Sequence, residues 1–558
     1  MKIKRAKIRT KYILLAILLL GFLVRVCGFN WDQGFHLHPD ERMIVMVIEK
    51  LHFPDKLNPH FFAYGSLPLY LLKFFSWLIS IFFGPFWVTY SYLPILGRAI
   101  SIFFDLGTIV VIFKIGQKVW GKKVGLWSAL FYASCVFPLQ LSHFYAVDTT
   151  LNFFIWLTVY FFLIFYQEPN YKNALKIGFA FGLSLATKIS AGLLLVGMGV
   201  ALLADLFLRK TAQRKIQTRI AKGVLIWGGF VLLVTMLTFA FFEPYALLDF
   251  FEFKKQILAQ EQMTKNAYVF PYTLQYVGTT PYFYYLKNMF FWGMGLGLGI
   301  LTIIGSVFYF IDFGKRLKTK GDYDQEALEL IVVIFGLIYF LVVGRFAVKF
   351  MRYFLPLYPW FIFMGVVFLS KILEVFKNIW GKIILGILFV FHLGWLLAFA
   401  SIYSRPHSRV QASYWIQENI PPGSVIAVEH WDDRLPLFGA QKYQYLEMPL
   451  YESDNSLKKW ELINNNLKKA DYLILASNRL FTPLPRLEDC EKYARCYPKT
   501  AQYYRDLFSG ELGFNLIAEF TSYPSLRIGS WKFEVNDQSA DESFTVYDHP
   551  RVLIFQKQ

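Results

Sequence analysis

Long apolar runs separated by short basic loops constrain this chain more than any other feature of its sequence. Each run has roughly 17–25 residues, which is the length that a helix needs to cross a bilayer. The chain is also 56% hydrophobic and 17% charged, whereas a soluble domain is about 45–50% apolar and about 25% charged. The sequence therefore predicts a polytopic α-helical membrane protein of about eleven spans. The predicted spans are 12–28, 93–117, 124–142, 148–166, 173–189, 191–208, 223–242, 288–311, 328–344, 353–370 and 383–402.

The basic loops predict which side of the membrane each connection faces, because cytoplasmic loops are enriched in Lys and Arg. If the basic N-terminus is inside and the apolar run 66–84 does not span, the loops containing 122–123, 209–222, 314–320 and 371–382 are all cytoplasmic. If 66–84 spans, all of them move outside. We therefore predict that 66–84 is an amphipathic segment in the outer interface. The expected location is the cell (inner) membrane, with a cytoplasmic N-terminus. These loops also explain the net charge of +18, so no nucleic acid partner is expected.

The predicted topology divides the chain into a membrane domain, 1–402, and an extracytoplasmic domain, 403–558. Two long loops of the membrane domain, 29–92 and 243–287, face the same side as the second domain. The tail is more polar, and its short apolar runs are typical of buried strands between helices. We therefore expect a small α/β domain there. The runs are "SVIAVEH" (424–430), "DYLILAS" (471–477) and "VLIF" (552–555).

The cysteines and histidines show no clear metal-ligand spacing. Cys490 and Cys496 can form a local disulfide if the tail lies outside the cytoplasm, and the sequence leaves a free pair equally open. His36 and His38 lie near Asp40, but their spacing fits an irregular loop as well as a site. No cofactor is indicated, and a divalent metal is left open without residues that indicate one.

The stretch "GFHLHPDERM" (34–43) places Asp40 and Glu41 on the outer face, just after the first apolar run. Pro39 suits the first turn of a helix, and acidic residues are favourable at a helix N-terminus. A charged first turn of an interfacial helix is therefore the simpler interpretation. The functional interpretation is a carboxylate that is held at the membrane surface as a general base.

Other ionisable residues are predicted in short turns on the same side. Each cation alone is explained as an anchor whose charged end reaches the interface. However, few cations are expected in short outer turns, and here several occur together, as the binding of a lipid phosphate would require. Arg98 and Asp105, two turns apart inside one span, fit a tie between helices as well as a functional role. The outer-turn residues are His143, Asp148, Lys188, Arg345, Lys349 and Arg352.

Several motifs in order make the chain similar to the GT-C glycosyltransferases, specifically the protein O-mannosyltransferase and aminoarabinose-transferase type. The Asp-Glu pair of the first outer loop is typical of that family. The resemblance covers most of residues 12–402. The motifs are "HPDE" (38–41), "YGSLPLYLL" (64–72), "SHFYAVDTTLNFF" (142–154), "LATKISAG" (185–192) and "RYFLPLYP" (352–359).

The resemblance implies an inverting transferase that moves a sugar from a polyprenyl-phosphate donor to a hydroxyl of a glycan, lipid or protein acceptor. Asp40 is then the general base, and Glu41 supports sugar or acceptor binding. The chain departs from the family at Ser66 or Leu67, where aminoarabinose transferases carry a phosphate-binding Lys. The phosphate is therefore expected to bind Lys188, Arg352, Arg345 or Lys349. Sugar or acceptor contacts are expected from His38, Tyr64, His143, Asp148, Gln260 and Gln262.

Two other classes of protein, a transporter or lipid flippase and an inactive membrane scaffold, are alternatives to this interpretation. A transporter or lipid flippase is expected to show internal repeats and helices broken near the midplane, and the sequence shows neither. A membrane scaffold without activity has no need of clustered outer carboxylates and cations. Both alternatives are therefore less well supported than the transferase.

Overall fold

The computed structural model describes residues 2–209, 214–319, 324–376 and 379–558. Parts of the predicted cytoplasmic loops, 210–213, 320–323 and 377–378, lie outside the described residues. The described helices form most of the membrane domain and also occur in the second domain. They are α1 Lys2–Val26, α2 Pro39–Glu49, α3 Ser66–Phe83, α4 Leu93–Val119, α5 Lys122–Ala133, α6 Val136–Ser142, α7 Asp148–Gln167, α8 Tyr171–Thr187, α9 Leu193–Arg209, α10 Arg214–Phe242, α11 Tyr245–Leu248, α12 Phe250–Lys265, α13 Phe283–Asn288, α14 Gly295–Thr319, α15 Asp324–Val343, α16 Leu357–Val375, α17 Ile379–Ala400, α18 Ser408–Asn419, α19 Leu457–Lys469, α20 Pro498–Ser509 and α21 Glu542–Thr545.

Each predicted span lies on a helix, and α5 and α6 form one run bent by 57°. Among the described residues, seven helices are long and apolar enough to cross a membrane, or eight if the bent pair is one span. The polytopic α-helical class is therefore confirmed, while the predicted number of eleven spans is not. The parts of α9 and α10 whose side chains are described are shorter apolar helices.

Helix α3, predicted to lie in the interface, is one of the seven by length and composition. Both of its ends nevertheless lie near residues of one membrane side. At its start, Ser66 contacts Glu243, which directly follows α10. Beyond its end, the Tyr90 ring lies 4.2 Å from the ring of His36, just before α2. This arrangement supports a helix that runs along the membrane surface. We call the membrane face that carries these residues and the second domain the site side.

Buried ion pairs tie the membrane helices together. Arg25 of α1 contacts Asp105 of α4 at 2.6 Å, and both side chains are fully buried. The hydroxyl of Tyr132 in α5 donates to the other oxygen of Asp105 at 2.7 Å. Because Asp105 is neutralised and hydrogen-bonded from two further helices, its position in α4 is that of an interhelix tie.

The second domain contains the predicted α/β fold. Its five-stranded sheet has the order β2-β1-β3-β7-β4, in which β1 is parallel to β2 and β3, and β7 is antiparallel to β3 and β4. A separate two-stranded hairpin consists of β5 and β6. The predicted runs 424–430, 471–477 and 552–555 contain β1, β3 and β7. The strands are β1 Val425–Glu429, β2 Gln444–Met448, β3 Tyr472–Leu475, β4 Phe514–Phe520, β5 Ser525–Ile528, β6 Trp531–Glu534 and β7 Val552–Lys557.

Residues that follow β1 join this sheet to the membrane domain. Arg42 of α2 contacts Asp433 at 3.2 Å, and Asp433 also pairs with Arg409 of α18 at 2.6 Å. The α/β domain is thus fixed directly over the first turn of α2.

Cys490 and Cys496, for which the sequence left both a disulfide and a free pair open, are joined by a disulfide.

Candidate active site

The start of α2 sends its two carboxylates to different surroundings. His38 is the N-cap residue, and its Nδ1 accepts the backbone N–H of Glu41 at 3.3 Å. Pro39 is the first helical residue, where its missing N–H costs nothing. Asp40 remains 24% exposed, whereas Glu41 is completely buried. Adjacent positions on a helix do not share a face, so the two acids are expected to differ in role.

Asp40 belongs to a chain of alternating charges, which we call the site cluster. A guanidinium nitrogen of Arg352 donates to Asp40. Arg352 Nε lies 4.0 Å from Asp148 Oδ2, and Lys188 Nζ lies 3.5 Å from Asp148 Oδ1. These residues come from α2, from the start of α7, from the turn after α8 and from the segment before α16. The structure therefore brings together two carboxylates and two cations that lie far apart in the sequence.

Three tyrosines line the site cluster. Tyr64 lies close enough to Asp40 to lower the pKa of its carboxyl group, and Lys188 Nζ lies 5.6 Å from the Tyr64 ring centre. The same ammonium group lies 5.0 Å from the ring centre of Tyr353. Tyr547 comes from the α/β domain and packs on His38, with 4.2 Å between ring centres. A half-buried cation near two aromatic rings is held in place by both packing and charge.

The charge state of Asp40 follows from its neighbours. Burial raises the pKa of its carboxyl group, but Arg352, His38 and Tyr64 together lower it by more, to about 2. Burial lowers the pKa of His38 to about 3. At neutral pH, Asp40 is thus an ionised carboxylate beside an uncharged imidazole. Its negative charge is balanced by Arg352.

Glu41 serves a different partner, Arg98 of α4. The two side chains form a double hydrogen bond at 2.6 and 3.0 Å, and Glu41 also accepts the backbone N–H of Tyr145 at 2.9 Å. Arg98 forms a second double pair with Asp32 at 2.7 and 3.0 Å. All three charged side chains are at most 1% exposed. Arg98, left open by the sequence, is therefore a structural clamp on the start of α2.

The segment 57–66, which carries Tyr64, is held from several sides. Gly65 N–H donates to Thr187 O at 3.0 Å, and a Cβ at Gly65 would lie only 1.9 Å from the carbonyl oxygen of Ala186. Glu243 accepts hydrogen bonds from the backbone N–H and the hydroxyl of Ser66. Only glycine fits this close contact, so the segment and the turn that bears Lys188 hold each other in place.

Helix α12 connects that segment to the loop that precedes Arg352. Near its middle, Gln256 accepts the backbone N–H of Phe62 at 2.7 Å and donates to His60 O at 3.1 Å. At its end, Thr264 O accepts the backbone N–H of Ala347 at 2.7 Å. The predicted long loop 243–287 thus contains a helix that bridges two walls of the site.

The remaining predicted site residues lie outside the site cluster. His143 is buried, hydrogen-bonds Leu139 O and Cys27 O, and stacks on Tyr403. Lys349 is buried and donates to Ala347 O at 3.0 Å, and burial lowers its pKa to about 8. Arg345 and Gln262 are exposed, and Gln260 is half-buried. Their predicted contacts with phosphate, sugar or acceptor stay predictions.

Three site residues were not identified from the sequence. Tyr547 lies in the run "DESFTVYDHP" of the C-terminal domain, and the sequence assigned this residue no role. Tyr353 directly follows the predicted phosphate ligand Arg352, and an aromatic residue next to a buried cation is a usable signal. Glu243 begins the loop 243–287, but its contact with Ser66 spans 177 residues. No local pattern could have predicted that contact.

The donor atoms of the site cluster do not fit a divalent metal ion. Across the described parts of the chain, no group of three or more His, Cys, Asp or Glu side chains is placed to hold one. Asp40 is engaged by Arg352, and Asp148 faces both Arg352 and Lys188.

A family model covers the part of the chain that holds two of the site residues. Residues 74–239 match the family described as dolichyl-phosphate-mannose-protein mannosyltransferase. The matched range contains Asp148 and Lys188. No curated protein sequence matches the chain at a significant level.

Three solved structures that resemble this chain are distant from it in sequence. The oligosaccharyltransferase AglB from Archaeoglobus fulgidus, in complex with an inhibitory peptide and a dolichol-phosphate, has a TM-score of 0.51 at 13% identity and covers 95% of this chain and 75% of its own. ArnT from Cupriavidus metallidurans, bound to undecaprenyl phosphate, has a TM-score of 0.43 at 12% identity, with 97% of each chain covered. The Pmt1-Pmt2 complex of S. cerevisiae, bound to the sugar donor, has a TM-score of 0.34 at 18% identity and covers 43% of this chain and 34% of its own.

Of these three, the likeness to AglB supports the fold assignment, and the family match supports the class of protein. The chain is accordingly a polytopic membrane protein with the fold of the GT-C glycosyltransferases, and its residues 74–239 match a mannosyltransferase family.

Proposed function

We propose that this protein transfers a sugar from a polyprenyl-phosphate donor to an acceptor hydroxyl on the extracytoplasmic face of the cell membrane. The observation that carries the proposal is the partly open carboxylate of Asp40, paired with Arg352 in a cluster that also holds Lys188. A base next to two cations suits a reaction that takes a proton from one oxygen and leaves negative charge on another. The bound dolichol-phosphate of the similarly folded AglB agrees with such a donor.

The donor phosphate binds Arg352 and Lys188 in this proposal. Arg352 Nε and Asp148 Oδ2 are buried without hydrogen-bond partners among the described residues. The guanidinium therefore has a donor to spare, and a phosphate oxygen satisfies it with a charge-assisted bond. Because the charges of Asp40, Asp148, Lys188 and Arg352 sum to zero, the phosphate competes with the carboxylates for the cations.

That competition prepares the base. When Arg352 turns from Asp40 to the phosphate, the carboxylate loses the partner that holds its pKa near 2. Its pKa then rises, and it becomes a better proton acceptor. Asp40 thus becomes a strong base only while the donor, and with it the leaving group, is bound.

The chemical step is a single displacement that inverts the anomeric carbon. The acceptor oxygen forms a bond to that carbon while its proton moves to Asp40, and the bond to the phosphate oxygen breaks. Arg352 and Lys188 stabilise the charge on the departing polyprenyl phosphate. Tyr64 and Tyr547 line the sugar-binding site. Glu41 acts indirectly, because its pairing with Arg98 holds Asp40 in place.

In the proposed orientation, the membrane is a bacterial-type inner membrane, and its site side faces away from the cytoplasm. The positive-inside pattern of the loops supports it. The disulfide between Cys490 and Cys496 supports it independently, because disulfides persist mainly in oxidising compartments.

The test compares the wild type with Asp40→Asn in nanodiscs that contain an undecaprenyl-phosphate hexose and an extract of cell-envelope lipids and proteins as acceptors. The readouts are release of undecaprenyl phosphate and transfer of labelled sugar. Asp40→Asn is expected to keep its Tm and to lose roughly 10²–10⁴-fold in transfer rate, the usual contribution of a general base. Unchanged transfer refutes the role of Asp40. If the wild type consumes no polyprenyl-phosphate sugar but moves a solute across vesicles, the protein is a transporter.

A further inference from the structure

The hairpin β5–β6 has one completely apolar face. Its strands pair Leu526 with Phe533 and Ile528 with Trp531, so these four side chains point to the same side. The alternate positions pair Ser525 with Glu534 and Arg527 with Lys532, and all of them are polar. A two-stranded ribbon with one apolar and one polar face is suited to the boundary between an apolar medium and water.

Three of the four side chains on the apolar face are left uncovered by the described protein. Ile528 is 76% exposed, Trp531 83% and Phe533 65%. The hairpin is not part of the five-stranded sheet, so its large side chains add nothing to that core. Because an isolated two-stranded ribbon is marginally stable in water, this one needs a surface to lie against. Contiguous exposed apolar patches usually mark a membrane or protein contact.

The position of the hairpin indicates which contact it makes. Leu526 packs on α17, where a Cβ at Gly394 would lie 3.9 Å from Leu526 Cδ1. The backbone N–H of Ser525 donates to the Ser401 hydroxyl at 3.2 Å, just beyond the end of α17. Gly394 lies six residues before Ala400, and at about 1.5 Å per residue this is roughly 9 Å below the helix end. The hairpin therefore runs alongside the last predicted span and reaches below its site-side end.

The surface of α17 next to the hairpin is itself apolar and open. Phe391, Leu393 and Leu397 are 56%, 36% and 58% exposed. In a helix that spans a bilayer, such side chains face lipid. The exposed face of β5–β6 continues this surface without a polar break.

The polar face suits the headgroup region. Arg527 and Lys532 lie opposite each other, and Lys532 also pairs with Glu534. Arg405, five residues after the end of α17, donates to Tyr523 O at 2.6 Å, just before β5. Tryptophan on one face and basic residues on the other are typical of segments at the membrane interface.

We propose that the β5–β6 hairpin is a membrane anchor whose apolar face is buried at the boundary between the headgroups and acyl chains of the site-side leaflet. It fixes the height of the α/β domain, and hence of Tyr547, above the bilayer. The proposal depends on α17 spanning the membrane and is independent of the reaction that the site cluster performs.

The test uses spin labels on single cysteines introduced in a Cys27→Ser background, because Cys135 is buried and Cys490 and Cys496 are disulfide-bonded. The apolar face is labelled in Ile528→Cys and Trp531→Cys. The matched controls on the polar face are Arg527→Cys and Lys532→Cys. The full chain is placed, one copy per disc, in nanodiscs of phosphatidylcholine and phosphatidylglycerol. Collision with oxygen, which concentrates in lipid, is compared with collision with a water-soluble nickel chelate.

We expect oxygen to relax the apolar-face labels more than nickel does, and the reverse for the controls. If nickel relaxes both faces alike, the hairpin lies in water and the proposal is wrong. If the apolar-face labels are shielded from both reagents, protein covers them and the membrane contact is refuted. Disordered spectra at all four positions would show that the ribbon does not persist beside α17, which also overturns the proposal.

Discussion

The first turn of α2 presents two carboxylates to two arginines, and the two pairs differ in almost every physical respect. Glu41 and Arg98 are both at most 1% exposed, and Arg98 is satisfied by Glu41, Asp32 and a backbone carbonyl. Asp40 and Arg352 are 24% and 13% exposed, and Arg352 Nε lacks a hydrogen-bond partner among the described residues. The sequence makes the two acids neighbours, but the fold gives one of them a permanent partner and the other a replaceable one.

The difference shows how a fold separates structure from chemistry at adjacent positions. A buried pair with every hydrogen bond made is expensive to break, because removal of one partner leaves a buried charge uncompensated. A partly exposed pair with a spare donor can exchange its anion without such a loss. The clamp therefore keeps α2 in place while Arg352 changes partners.

The largest expected effect is the loss of the clamp. Arg98→Met leaves Glu41 and Asp32 buried without their cation, and we expect a loss of about 3–5 kcal/mol of stability. The measurement is the Tm and the yield of folded protein in detergent. Met keeps much of the side-chain volume, so a cavity does not explain the loss. A variant as stable as the wild type would contradict the structural role of Arg98.

The next effect is on the replaceable pair. Arg352→Gln is expected to change the free energy of unfolding by no more than about 1 kcal/mol, because Asp40 can be hydrated where it is exposed. It should lower kcat/KM by roughly 10²–10³-fold, the usual cost of one donor to a developing charge. Arg352→Lys should recover part of the rate. Equal losses of stability in Arg352→Gln and Arg98→Met would remove the distinction between the two pairs.

A third carboxylate, Glu243, differs from both pairs because no cation among the described residues pairs with it. Burial raises its pKa to about 7, since the hydrogen bonds from Ser66 lower it by less. The folded protein then holds a proton that the unfolded chain releases, so this contribution to stability is present at about pH 5 and is lost towards about pH 8. We expect a decrease on the order of 2 kcal/mol, followed as Tm against pH.

Glu243→Gln is the matched control, since its amide can accept from Ser66 N–H and donate to the Ser66 hydroxyl. It should remove this part of the pH dependence. The same slope in both proteins would show that Glu243 does not titrate in this range.

The smallest effect is expected at the edge of the site. Gln262 is exposed on α12, and no contact joins it to the site cluster among the described residues. Gln262→Ala should change stability by less than about 0.5 kcal/mol and leave transfer nearly unchanged. A large rise in KM for the acceptor, measured at saturating donor, would instead place Gln262 in the acceptor site, as the sequence suggested.

The parts of the site that the sequence could predict are those with local signals. Apolar runs located the helices, and the acidic turn and the cations in short turns indicated Asp40, Asp148, Lys188 and Arg352, which the structure brings together. Tyr64 followed from the family motif. The division of labour between Asp40 and Glu41 could not be predicted, because Arg98 lies 57 residues from Glu41 and either acid could have met it.

The contribution of the α/β domain was also beyond sequence reasoning. Its strands carried the expected pattern, but the contacts of residues 541–549 with the membrane domain depend on packing. Gln140 donates to Asp548, and Tyr284 donates to Asp541. The amphipathic pattern of β5–β6 was visible in principle, yet its four-residue strands are too short to distinguish from other alternating segments.

Those contacts bear on how the protein is made. Tyr547 enters the site more than 140 residues after the last membrane helix ends, next to a loop that is among the first to leave the ribosome. A nascent chain whose helices are all inserted still lacks this wall of the site, and His38 still lacks one of the rings against which it packs. Under the proposed function, activity therefore begins only after the C-terminal domain has folded against the membrane domain, so a chain without that domain cannot yet consume its donor.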